Sequence, residues 1–461
     1  MRVKAKKGFS NMAGNSMLDL TEGSILRKII LFALPIIGGN MLQQLYNVTD
    51  TLIVGKTLGV LRLAAVGACG ATYFLMFGFI LGLTSGCAVI ISQAFGAKDM
   101  SGVRRAIAAH IIIATMFALI MTIVFLLAVK PVLTLMRTTA DTIGLATAYI
   151  TIIYQGITVT MLYNLLAASL RAVGDSKTPL KFLLFSSLLN IALDLLFIIK
   201  FHWDVQGAAR ATVLAQFVSA LLCIIYLCRK MPSLIPGRES WKNLTPVVFR
   251  ELRVGIPLGL QYTIISLGMM ILQSVVNDFG SNAVAAVTVG NKMHQLMIIP
   301  LSAMVVAMST FVAQNLGAKK HDRIVIGVKK CAIFTFTMAC IIGIVIFTSR
   351  DAIIEVFIAG HQPEVMSYAR KFLTWESLGI PLISFLFVYR GAVQGLGGGT
   401  VVMLAGLLEL GMRLVASVIG SPILGFIAVC MAGPLAWTAG ALVQITYFYL
   451  QVNRRKTIEK A

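Results

Sequence analysis

Twelve long apolar runs constrain this chain more than any other feature. A bilayer core of ~30 Å takes about 20 mainly apolar residues per helix. Runs of that kind cover 29–53, 64–95, 106–129, 142–170, 180–199, 206–228, 251–277, 283–315, 327–348, 366–394, 401–420 and 425–450. They are continuously apolar, whereas a membrane barrel would show alternating segments of about ten residues, so helices are the expected spanning elements. With 58% hydrophobic and 12% charged residues in 461, the chain has too little polar surface to cover a soluble globule. The expected class is an all-α membrane protein of twelve transmembrane helices.

The formal net charge of +21 raises the question of a polyanionic partner. The positions of the basic residues answer it. Clusters such as Arg104–Arg105, Lys319–Lys320, Lys329–Lys330 and Arg454–Lys456 all fall on one side once the N-terminus is placed in the cytoplasm, as the positive-inside rule expects. Basic loops that face anionic lipid need no other partner, so the lipid bilayer is the expected surface and nucleic acid is not. Both termini are then cytoplasmic. Residues 1–24 are polar and basic without a short apolar core, and no cleavable signal peptide is expected. The seven cysteines are scattered through apolar runs with no C-x-x-C pair, and read as small hydrophobes rather than metal ligands.

One design is written twice along the chain. "LPIIGGNMLQQL" from 34 is matched by "IPLGLQYTIISL" from 256, "LAAVG" at 63 by "VAAVT" at 284, and "SQAFGAKD" at 92 by "AQNLGAKK" at 313. "RAVGDSKT" at 171 parallels "QGLGGGTV" at 394 more weakly. Six helices per copy make two pseudo-symmetric lobes, 25–228 and 250–452. A cytoplasmic segment 1–24 precedes them, a polar Pro-bearing linker 229–249 joins them, and a tail 453–461 comes last. Because six is even, the repeats are parallel, a pattern of secondary transporters whose substrate site lies between the halves.

Charged residues inside spans are few, and each one in hydrocarbon costs about 2.5–3.5 kcal/mol on insertion scales. The first lobe holds Asp50, Asp194 and Arg210, and the second Lys292, Glu376, Arg390, Glu409 and Arg413. At ~1.5 Å per residue, Asp194 lies about 7 Å from the outer end of its helix, Asn190 one turn deeper, and Thr212 about 9 Å inside the next helix. Asp50 falls within a turn of the end of the first helix, where a side chain can also snorkel to water. Asn190 and Asp194 share a face at i and i+4. Carboxylate, amide and hydroxyl oxygens suit a hard cation such as sodium, and equally suit a protonated carboxyl. A carboxyl merely satisfied by Arg210 is the structural alternative for Asp194. In the second lobe Glu409 and Arg413, also at i and i+4, form the expected internal ion pair, while Lys292, Glu376 and Arg390 receive no role.

The order and spacing of "ALPIIGGNMLQQLYNVTDTLIVG", "LAAVG", "SQAFGAKD", "LRAVGDSKTP" and "LLNIALDLLFI" closely resemble the MATE (multidrug and toxic compound extrusion) transporters, in particular the prokaryotic branch called DinF-like. The resemblance implies a V-shaped twelve-helix fold and export of organic cations driven by inward Na+ or H+. The membrane is then the plasma (inner) membrane of a prokaryote, the protein a monomer, and the coupling ion takes the place of any cofactor. It further implies a cation or proton site at Asp50, Asn190, Asp194 and Thr212, with Ala208 contributing only its carbonyl. Gln43, Tyr149 and Asn164 would line the substrate cavity, and Pro35 would bend the first helix. Other branches carry an acid in helix 7, but "GLQYTIISLGMM" has none. A lipid-linked oligosaccharide flippase of the same superfamily is the alternative, although a pyrophosphate cavity would want several basic residues. An intramembrane enzyme is not expected, since neither H-E-x-x-H nor G-x-S-x-G occurs. The 22 methionines would give a drug cavity adaptable walls, though most read as apolar filler.

Overall fold

The structure, a computed structural model, describes residues 18–136, 138–358 and 362–460. Residues 1–17 of the expected N-terminal segment and Ala461 of the tail lie outside the described residues. Every regular element among those described is helical. Eleven helices are long and apolar enough to cross a membrane, and a twelfth span is a bent pair. In chain order they are α1 Ile25–Leu58, α2 Val60–Gly96, α3 Met100–Leu135, α4 Ala140–Gln155 with Ile157–Ala172, α5 Lys177–Lys200 and α6 Asp204–Lys230. The others are α7 Thr245–Asp278, α8 Ser281–Gly317, α9 His321–Phe357, α10 Pro363–Gly395, α11 Gly399–Ile419 and α12 Phe426–Arg455. The twelve apolar runs of the sequence each fall on one of them.

The repeat is visible in backbone bonding as well as in letters. In "FGAKD" and "LGAKK" the helix ends at Gly96 or Gly317, and the lysine two residues on adopts a left-handed conformation, φ 60 at Lys98 and φ 56 at Lys319. The closing bonds match one for one: Lys98 N–H to Phe95 O and Asp99 N–H to Ala94 O, against Lys319 N–H to Leu316 O and Lys320 N–H to Asn315 O. Asp99 then caps α3 by accepting from Gly102 N at 2.8 Å, which satisfies one of the orphan donors of the first turn. A second shared device is a short π-helical stretch near the end of α5, Leu195–Lys200, and of α11, Val415–Ile419.

The chain divides into two compact units, and the boundary falls inside α1 and α7. Among the described residues, one comprises 18–20 and those between Leu31 and Gly255, the other Thr21–Ile30 and those from Ile256 onward. In the first unit α2 packs on α3 and on the second half of α4, while α6 packs on α5 and on both halves of α4. The polar stretch before α7 is ordered rather than slack: the short turns Pro232–Leu234 and Arg238–Trp241 lie against α3, and Leu244 is buried with Ala108 and Ala109. In the second unit α10 packs against α8, α9 and α12, around a core that includes Leu301, Ile354, Leu373, Ile380 and Trp437. Large apolar side chains such as Leu127, Ile333, Val345 and Leu450 point outward, as lipid-facing positions should.

Lipid supplies little hydrophobic drive for helix association, so close approach between helices carries the packing. The bend in α4 is the clearest case. The helix turns by 46° at Gly156, where a Cβ would meet Val213 Cγ2 of α6 at 2.5 Å. Gly156→Ala should therefore overpack the α4–α6 contact by about 1–3 kcal/mol. We expect a lower unfolding midpoint in detergent, recovered when Val213→Ala makes room. A single variant as stable as the parent would show that the helices can separate freely there.

Candidate cation site

Three helices of the first unit bring the predicted oxygens together. α1 supplies Asp50, α5 supplies Asn190 and Asp194, and α6 supplies Thr212 and, one turn earlier, Ala208. α1 runs to Leu58, not to 53, because Gly55 and Lys56 stay helical and the chain turns only at Gly59 with φ 86. Asp50 consequently lies ~12 Å from the helix end, not within one turn of it. Asp194 is ~9 Å and Thr212 ~12 Å from the ends of their own helices, so all three sit at comparable depth. The π-helical stretch begins immediately after Asp194. Such a stretch widens the helix by one residue per turn and rotates the residues beyond it to a new face, a feature frequent at functional positions.

The site is buried, and most of its oxygens lack donors. Asp194 and Ala208 are fully buried, Asn190 and Thr212 nearly so, and Asp50 is half-buried. Thr212 Oγ1 lies 3.0 Å from the Tyr46 hydroxyl, and Asn190 Nδ2 approaches it at 3.5 Å. The carboxyls of Asp50 and Asp194 are near neighbours. No amide, hydroxyl or guanidinium among the described residues reaches Asp50 Oδ1, Asn190 Oδ1 or either oxygen of Asp194. A carboxylate accepts only, so this concentration of acceptors calls for a proton or a small hard cation. Two carboxyls, an amide oxygen and a hydroxyl are the donor set sodium takes.

Arg210 does not satisfy Asp194. It is exposed, lies over the Trp203 ring at 4.9 Å from the centroid, and donates to Gln206 at 3.2 Å. Tyr149 joins the cluster, close enough for its hydroxyl to sense the Asp50 charge, and Tyr46 and Tyr73 do the same. Sequence reasoning alone misses the last two, although Tyr46 stands one turn before Asp50 on the same helix face. Asn164 is buried and its amide donates to Thr160 O at 2.8 Å, while Gln43 is half-buried on α1. Pro35 lies inside an unbroken α1, where it deprives the Leu31 carbonyl of its helical donor.

The second unit pairs its charges differently from the expectation. Glu409 bonds Arg390 Nη2 at 2.7 Å, both buried, and not Arg413. Spacing at i and i+4 permits a pair without enforcing it, and here α10 presents a guanidinium directly to Glu409. Glu376, also unassigned from sequence, meets His294 Nδ1 at 2.9 Å, and His294 stacks on Trp437 with ring centroids 5.4 Å apart. Lys292 is exposed.

The MatE family profile matches residues 35–196 and 257–419, once in each repeat. The chain belongs to the MatE family. It is 30% identical to the probable multidrug resistance protein YpnP of Bacillus subtilis (strain 168), across 85% of this chain and 87% of that protein. It is 24% identical to the multidrug export protein MepA of Staphylococcus haemolyticus (strain JCSC1435), across 85% and 86%. Its fold matches a multidrug resistance MATE family transporter of the MOP superfamily solved in an outward-facing conformation, with TM-score 0.87, 22% identity and coverage of 96% and 99%. A MATE protein solved in a bent conformation matches with TM-score 0.86 and 22% identity, over 96% and 98%. The MatE chain is thus a multi-pass membrane transporter of the multidrug efflux type and not an enzyme.

A hydrophobic carbodiimide couples to protonated carboxyls embedded in apolar surroundings. Asp50 or Asp194 of the purified MatE chain should be labelled, and Asp50→Asn/Asp194→Asn should abolish that label on the corresponding peptides. Mass spectrometry reads the outcome. Complete absence of label on both peptides in the native chain would mean that the carboxyls are held as inaccessible anions.

Proposed function

We propose that this chain exports organic cations and drugs by secondary active antiport with Na+ or H+, through alternating access. The observation that carries the reading is the group of donor-less oxygens on Asp50, Asn190 and Asp194, beside Thr212 inside a membrane-spanning unit. Isolated polar atoms there are costly, and a cluster of acceptors alone is relieved by an arriving cation or proton. Inward movement of one charge through 100 mV releases about 2.3 kcal/mol, enough to drive a passenger uphill. Ion binding draws α1, α5 and α6 together, and Pro35 is where α1 yields. Gln43, Tyr149 and Asn164 face the passenger, and Ala208 lends its carbonyl to the ion.

The names of the relatives support drugs as the passengers, since YpnP and MepA are described by multidrug resistance or export. Nothing among them supports the flippase alternative. The plasma membrane of a prokaryote, with both termini cytoplasmic, is the location that the bacterial relatives and the one-sided placement of Lys and Arg support.

Everted vesicles, which expose the cytoplasmic face, test the coupling by uptake of added ethidium. Asp194→Asn should lower gradient-driven transport by about tenfold or more, because the ion then loses one of its two carboxylates. Collapsing the sodium gradient and the proton gradient separately identifies the ion. Native transport rates in the variant under both gradients would overturn the mechanism.

A further inference from the structure

The second unit contains a cavity of about 180 Å³ that the proposed coupling site does not use. Its lining combines the aromatic rings of Phe372 and Trp437 with the polar side chains of Gln273, Asn291, Gln295, Glu376 and Arg413. Roughly 150 Å³ suffices to hold a benzene ring in an apolar cavity, so the space takes an aromatic acid or a substituent of that size.

The charges around the cavity are paired with one exception. Arg390 is committed to Glu409, and Glu376 is held by His294, itself anchored against Trp437. Arg413 makes no side-chain hydrogen bond or ion pair among the described residues, yet it is half-buried and lines the cavity. A guanidinium does not relieve its burial by giving up a proton. Glu409 and Glu376 are near enough to offset its charge from a distance, but neither bonds it, so its N–H donors are left without acceptors, which is expensive in a membrane-spanning unit. Its stem has been given room: Gly268 of α7 faces it, and a Cβ there would stand 3.3 Å from Arg413 Cδ. The planar guanidinium fork matches a carboxylate with two parallel hydrogen bonds. The neighbouring amides add donors.

We propose that this cavity binds the carboxylate of a small organic molecule, with Arg413 as its counter-charge and the rings of Phe372 and Trp437 as its apolar seat. The second unit would then discriminate acidic from purely cationic compounds, a property the acceptor-rich site of the first unit cannot supply. Calling the bound molecule a passenger rests on the efflux reading above, whereas its binding does not.

Titration calorimetry on the purified full-length chain tests the site with two probes, 4-(piperazin-1-yl)benzoic acid and its methyl ester. They share the cation and the ring and differ in the carboxylate. The acid should bind about tenfold more tightly than the ester, as a bidentate ionic contact warrants. Arg413→Gln should erase that advantage while leaving ester affinity in place, and Arg413→Lys, which keeps the charge but loses the fork, should retain part of it. Equal binding of acid and ester to the native chain overturns the proposal, whether or not the variants fold. So does a preference for the acid that survives Arg413→Gln, and so does a preference for the ester, which would mark a cation site around Glu376. Ethidium uptake by everted vesicles separates the two readings. Its absence from the native chain would defeat the transport reading while leaving the acid–ester difference standing.

Discussion

Hydrocarbon offers no water to an unsatisfied polar group, and that constraint shapes every feature of the first unit that is not plain packing. Three helices from distant parts of the sequence place carboxyl, amide and hydroxyl groups at one depth, with Asp194 fully buried. Had Arg210 turned inward, the cluster would have been a satisfied ion pair and nothing more. It turns outward onto Trp203 instead, and the acids are left with each other. The backbone adjusts to this arrangement. α5 changes to π-helical winding directly after Asp194, and α4 bends at Gly156, where it passes α6 one residue away from Thr212 along the chain.

The fold is largely legible in the letters because its signal is redundant. Each span repeats the same apolar message over twenty or more residues, and a few wrong letters do not erase it. The Q-x-x-G-A-K pair is legible for a different reason: a helix stop with a left-handed third residue demands particular backbone bonds, and the letters recur where the bonds recur. The features that escape a one-dimensional reading depend on partners far away in sequence. Gly156 looks like any other glycine until Val213 is known to press on it. Gly55 and Lys56 read as a helix end near 53, yet helical continuation to Leu58 moves Asp50 from the rim to the interior. Tyr46 is within reach of the i, i+4 rule applied to Asp50, whereas Tyr73 comes from another helix with no local cue.

Side-chain pairing is the least legible layer. Glu409 and Arg413 obey the spacing rule for an ion pair, and the structure gives Glu409 to Arg390 instead. Spacing along one helix describes which groups are able to meet. The choice among competing partners is made by neighbouring helices, here α10, which also delivers Glu376 to His294. A rule confined to one helix cannot see that competition.

The two units therefore illustrate how a duplicated backbone diverges in chemistry. The left-handed turn and the π-helical winding persist in both copies, since each is fixed by backbone bonds that tolerate many side chains. The charges do not persist. The first unit concentrates acceptors and is short of donors, and a cation or proton completes it. The second pairs one acid with an arginine and another with a histidine, and leaves a further arginine facing open space. Opposite deficits of this kind call for opposite ligands. A chain that kept one scaffold in duplicate while changing the sign of the missing charge has the means to bind two chemically unlike species, each in its own unit.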